Sequence, residues 1–142
     1  AGKFLPDYEK KLAPLLAHPS IKVLGHRTDI PDLARKSDIL VLPSIEEGFG
    51  LVCAEAMGSG CVPLVSNACT DICKHEQSAL IHRVGDVNAL TEHITRLHND
   101  RQLLRTLRSG ALDASPGFTW GAAGERLLEV YRETITARAS VS

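Results

Sequence analysis

The sequence predicts an α/β protein: a parallel sheet flanked by helices. Three observations predict it. Short apolar runs alternate with helix-forming stretches over the first two thirds of the chain. Two of those runs, 38–43 and 61–66, are almost continuously apolar, as strands covered on both faces are. The last third carries helical periodicity.

Each element has a local reason. Residues 7–17 read as a helix that Pro14 shortens or kinks. Residues 21–25, Ile-Lys-Val-Leu-Gly, read as a short strand ending in glycine. A short helix follows over 29–36, with Asp29 as N-cap and Pro31 in the first turn, where a missing N–H costs nothing. The apolar run 38–43 is a strand expected to be buried on both faces. Residues 50–57 hold helix formers and stop at Gly58-Ser59-Gly60. The run 61–66 is a second buried strand, and 79–82 a short final one. Asp86 caps a helix whose apolar stripe is Val87, Leu90, Ile94 and Leu97. Leu103, Leu104 and Leu107 repeat the pattern. Thr119 caps a long last helix striped by Trp120, Ala123, Leu127, Tyr131 and Ile135, with Trp120 expected to anchor it in the core. That stripe is wider than so small a protein needs to bury, so part of it is expected to be exposed and the chain to self-associate.

Composition narrows the function. The chain has 142 residues, 44% hydrophobic and 23% charged, enough for one domain with a core. The net charge of -1 gives no basic excess, so no nucleic-acid partner is expected. No apolar run approaches the ~20 residues of a transmembrane segment. Cys53, Cys61, Cys69 and Cys73 form no C-x-x-C pair and are expected to be reduced thiols. His93 and His98 are five apart, on different helix faces, so no metal site is expected.

In parallel sheets ligands bind beyond the carboxyl ends of strands, which singles out the loop after Pro43. It reads Pro43-Ser-Ile-Glu-Glu-Gly-Phe-Gly-Leu-Val-Cys-Ala-Glu-Ala-Met57, with Glu47 before a Gly48-Phe49-Gly50 turn and Glu55 eight residues after Glu47. Glycines let backbone approach a ligand closely. The helix opening near Gly50 offers free N–H groups and a positive dipole end, an anion site. Glu55 lies about five residues inside it, ~7.5 Å from the mouth, where a carboxylate can take ribose hydroxyls while phosphate sits at the start. Glu47 faces the group beyond the phosphate; if that is a sugar, Glu47 accepts its hydroxyl protons. A packing turn with a solvated Glu55 is the plainer alternative. The loop is neither a dinucleotide fingerprint, since Cys53 takes the third glycine's place, nor a P-loop.

The stretch 43–60, followed by Val62-Pro-Leu-Val-Ser66, resembles the donor-binding region of retaining glycosyltransferase family 4 (group 1). The family's E-x7-E element matches Glu47 and Glu55, and Gly25, the run 37–44 and Gly85-Asp86 match flanking parts. The resemblance implies the GT-B architecture of two Rossmann-like lobes, with residues 1–142 as one nucleotide-sugar donor-binding lobe, incomplete at its N-terminus. It implies a hexosyltransferase that moves a sugar from a nucleotide-sugar to an acceptor hydroxyl with retention and without a divalent metal or cofactor. Glu47 then contacts donor-sugar hydroxyls as the candidate catalytic residue. Gly48, Phe49, Gly50 and Leu51 offer backbone contacts to sugar and distal phosphate, and Glu55 holds the ribose. The loop 26–30 meets the nucleobase. The family's upstream pyrophosphate-clamping Arg and Lys-Gly pair, and its acceptor lobe, fall outside these residues. The fragment alone is therefore expected to be inactive, its missing partner being the N-terminal lobe of the same chain. The expected location is cytoplasmic, peripheral to the inner membrane face in a full-length enzyme. Two segments depart from the family. Its Gly-Gly-x-x-Glu loop is Asn67-Ala-Cys-Thr-Asp-Ile-Cys73 here, and its Asp/Glu-Gly-x-x-Gly is His75-Glu-Gln-Ser-Ala79. A non-enzymatic nucleotide- or protein-binding module is the alternative reading.

Overall fold

The computed structural model describes residues 2–69 and 71–139. They fall into two compact units, Ala1–Ile30 and Pro31–Ser142.

The first unit holds helix α1 (Pro6–Leu16), which starts on a proline and runs on through Pro14. Of the two effects expected of Pro14, shortening or kinking, shortening does not occur, since the helix runs two residues past it. The segment 21–25 is irregular, not a strand. Ile21 and Val23 are about half exposed, and the Gly2 amide donates to the Gly25 carbonyl at 2.7 Å. An extended segment becomes a strand only when a neighbour pairs its backbone. Gly25 takes a φ of 62°, which explains the glycine there. The Asp29 carboxylate pairs with the Arg27 guanidinium at 2.5–2.7 Å.

After the short helix α2 (Ile30–Arg35), the second unit is built on three parallel strands: β1 (Ile39–Leu42), β2 (Val62–Ser66) and β3 (Leu80–His82), in that order. Ile39 pairs with Val62 and Leu64 with Leu80. Helix α3 (Leu51–Gly58) links β1 to β2, and helices α4 (Val87–Asn99) and α5 (Arg101–Ala114) follow β3.

The alternation of side chains along β2 divides the core. Val65 joins Cys53 and Met57 of α3, with Ile72, Cys73, Ala79 and Ala111. Val62 and Leu64 join Leu80, Leu97 of α4 and Leu104 and Leu107 of α5. β2 is buried along its whole length, as predicted. β1 is not: it is an edge strand in this sheet and Val41 is 40% exposed. The sequence pattern could not separate a central strand from an edge one, because both are apolar.

Two caps hold α4 and α5. Asp86 accepts from the Ala89 amide and Asp100 from the Leu103 amide, at 2.9 and 2.8 Å. Asp38, just before β1, receives Arg101 and Arg108 of α5 at 2.9 and 3.0 Å. The Arg101 hydrogen bond is the main reason its carboxyl lies below the usual carboxylate range. The α4 stripe is only partly used: Leu97 is buried and Val87 is 70% exposed.

A 3₁₀ turn (Ser115–Phe118) leads to helix α6 (Trp120–Ala139), where Thr119 accepts from the Ala122 amide as the predicted cap. The predicted core anchor fails here. Trp120 is 88% exposed, and Leu127, Tyr131 and Ile135 are also open to solvent. Periodicity marks an apolar face, but a face is buried only where another element meets it.

Candidate functional site

The candidate site lies where β1 ends and α3 begins. β2 and β3 are parallel to β1, so this is the carboxyl edge of the sheet, where the sequence reading put it.

Gly50 is the N-cap of α3, with φ 71° and ψ 48°. This left-handed conformation, and not lack of space, demands glycine, since an added Cβ would meet its nearest neighbours at an ordinary 3.7 Å. The Cys53 and Ala54 amides both reach back to the Gly50 carbonyl. The Leu51 and Val52 amides have no acceptor among the described residues, so two N–H groups stand open at the positive end of α3.

Glu47 is half-buried beside this mouth. Its Oε1 accepts from the Gly50 amide at 3.3 Å and its Oε2 faces the Ser44 hydroxyl at 3.5 Å. Gly48, Phe49 and Leu51 are exposed around the opening, and Glu55 is exposed on α3 one turn further in. The structure thus brings Glu47, Gly48, Phe49, Gly50 and Leu51 together at one helix start, with Glu55 on that helix. This geometry can receive an oxyanion on the open amides, and its two carboxylates can accept hydrogen bonds from hydroxyl groups.

Three features escaped the sequence reading. Ser66, 1% exposed at the end of β2, donates to the Ser44 carbonyl at 2.5 Å and accepts from the Ala68 amide at 3.3 Å. Its sequence signal is a hydroxyl closing an otherwise apolar strand. Cys53 and Cys73 meet in the core behind the loop, and their mutual interaction raises the pKa of Cys53 and lowers that of Cys73. Burial likewise pushes the Cys61 thiol up to about 11. All four cysteines are free thiols, as expected. The third is Glu76, the non-glycine residue at positive φ (59°) among the described residues. It occupies the glycine position of the family turn that the sequence replaces. Position 70, inside the other departing loop, lies outside the described residues.

The family model for glycosyl transferases group 1 matches residues 1–100. The chain belongs to that family. D-inositol 3-phosphate glycosyltransferase 1 of Catenulispora acidiphila is 36% identical over 110 residues, covering 75% of this chain and 26% of that protein. The D-inositol 3-phosphate glycosyltransferase of Thermomonospora curvata is 32% identical over 152 residues, covering 99% of this chain and 34% of that one. The chain therefore spans roughly a quarter to a third of these relatives. Anabaena HepE, solved in complex with UDP, superimposes with a TM-score of 0.84 at 26% identity, over 93% of this chain and 39% of that one. The sucrose-phosphate synthase of Thermosynechococcus elongatus superimposes at 0.78 with 24% identity, over 92% and 34% of the two chains. The chain has the Rossmann-like α/β fold of a GT-B lobe, as its sequence predicts. Among the described residues no helix is long and apolar enough to cross a membrane.

Proposed function

We propose that this chain is the nucleotide-sugar donor-binding lobe of a retaining glycosyltransferase. The observation that carries the reading is the α3 mouth: two open amides behind a left-handed Gly50, flanked by Glu47 and by Glu55 eight residues on. The distal phosphate of the donor docks on the Leu51 and Val52 amides, where the helix dipole offsets its charge. Glu55 accepts hydrogen bonds from the ribose hydroxyls. Glu47 accepts from hydroxyls of the sugar being transferred, and the Gly48-Phe49-Gly50 turn lies beside it at the same helix start. The UDP-bound state of HepE supports a nucleoside diphosphate as the ligand class.

In this reading the sugar passes to an acceptor hydroxyl bound by a second, N-terminal lobe of the enzyme. Charge developing on the leaving pyrophosphate is met by the helix dipole and by cationic side chains of the complete enzyme, without a divalent ion. The donor-binding lobe alone does not transfer sugar. Retention, hexosyl transfer and a cytoplasmic location belong to the same proposal and rest on the family resemblance.

The test is NMR shift mapping with UDP, GDP, ADP and their sugars. Shifts should cluster on residues 47–55. Glu55→Ala should weaken every nucleotide about tenfold, the factor for losing a charged hydrogen bond. Glu47→Ala should weaken the sugar nucleotides and spare the bare diphosphates. Shifts gathered away from 47–55 would refute the assignment.

A further inference from the structure

The hydrogen bonds around residues 43–50 form a relay that the donor-site reading leaves unused. It starts at Ser66, the only hydroxyl in β2 and nearly inaccessible to solvent. A buried hydroxyl is costly unless bonded, and this one is used twice. It joins residues 22 apart in sequence by donating to the Ser44 carbonyl, and it accepts from the Ala68 amide. The end of β2 thus pins the first turn of the loop leaving β1. Ser44 passes the constraint on, because its own hydroxyl faces Glu47 Oε2 at 3.5 Å. The Gly50 amide takes the other oxygen at 3.3 Å. Both carboxylate oxygens are therefore held from within the loop, one from its first turn and one from the N-cap of α3.

We infer that Ser66 and Ser44 are positioning residues for Glu47, fixing its carboxylate beside the α3 mouth so that it meets the sugar of an incoming donor. The inference rests on the donor-site reading for its ligand, but the positioning itself can be read without one. A rotamer-rich acid left free on an exposed loop must be ordered when ligand binds, at a cost in affinity. Here the ordering is built into the protein before the donor arrives. The effect falls on the sugar part of the ligand, because the phosphate amides of Leu51 and Val52 belong to the helix and not to the relay.

The experiment compares wild type, Ser44→Ala, Ser44→Thr, Ser66→Ala and Glu47→Ala. Ser44→Ala keeps the backbone carbonyl that Ser66 needs, so it stands in should Ser66→Ala fold poorly. Without ligand, hydrogen exchange at the Gly50 amide should quicken about fivefold in Ser44→Ala and Ser66→Ala, the factor of one ordinary hydrogen bond, and return to wild type in Ser44→Thr. Unchanged exchange in both alanine variants overturns the inference, whether or not nucleotide binds. With UDP and UDP-glucose as probes, the ratio of the two affinities should fall about fivefold in Ser44→Ala, toward that of Glu47→Ala, while UDP affinity stays. If Glu47→Ala lowers the ratio and the serine variants do not, the positioning role is wrong and the donor site stands. If Glu47→Ala leaves the ratio unchanged, the donor-site role of Glu47 fails and the relay has nothing to aim. A purely structural role predicts equal loss for UDP and UDP-glucose, and that result also overturns it.

Discussion

Gly110 in α5 gives the sharpest test of the packing. An added Cβ there would stand 2.0 Å from the Gln77 carbonyl oxygen, where real Cβ contacts stay beyond 3.0 Å. The obstacle is backbone in the turn before β3, and that turn already holds Glu76 at positive φ. It cannot yield by a rotamer change, so α5 and the turn must separate by about 1 Å. Overpacking of this kind costs ~1–3 kcal/mol. Alanine recovers about 1 kcal/mol in helix propensity, so taking the upper half of the range leaves Gly110→Ala about 1–2 kcal/mol less stable. At this chain length that lowers Tm by roughly 3–7 °C. Gly124 in α6 supplies the control, since an added Cβ there meets nothing within 4 Å. The same substitution should stabilise the protein by ~0.5–1 kcal/mol. Scanning calorimetry of the two variants should give Tm shifts of opposite sign. A Gly110→Ala protein as stable as wild type would show that α5 and the 74–79 turn do not touch as described.

The left-handed turn at Glu76 predicts that Glu76→Gly is more stable than Glu76→Ala by about 1 kcal/mol in urea melts, because both lose the Arg96 pair and only glycine relieves the φ. His82 is 5% exposed, and burial, aided by His93, holds its pKa below the ordinary 6.5. The unfolded chain then binds this proton first, so its contribution to stability is present above pH 6.5 and lost as pH falls through the depressed native value. His82→Gln should flatten the acid limb of a Tm-against-pH curve; an unaltered slope would contradict this. Cys69 is the partly exposed thiol, while Cys53, Cys61 and Cys73 are buried. In the native protein a thiol reagent should modify Cys69 first and the other three only at the rate of unfolding. Leu107 is fully buried between α5 and the sheet, so Leu107→Ala should cost ~2–5 kcal/mol in the same urea melts.

Much of this was legible in the chain itself. The helix caps Asp86 and Thr119, the buried strand at 62–66 and the glycine turn before α3 follow from local chemistry, because each residue acts on backbone a few positions away. The grouping of the candidate residues was legible for the same reason: Glu47, Gly50 and Glu55 lie within nine consecutive residues, at and just inside one helix start. Tertiary structure alone decided what depends on a neighbour. Whether 21–25 pairs as a strand, whether β1 is an edge and whether the Trp120 face is covered are questions about a second surface, which periodicity does not contain. The Ser66 hydroxyl meets the Ser44 carbonyl across 22 residues, and Gly110 meets Gln77 across 33 (110 − 77). Contacts of that span arise from how strands and helices stack, and no local pattern of residues encodes them.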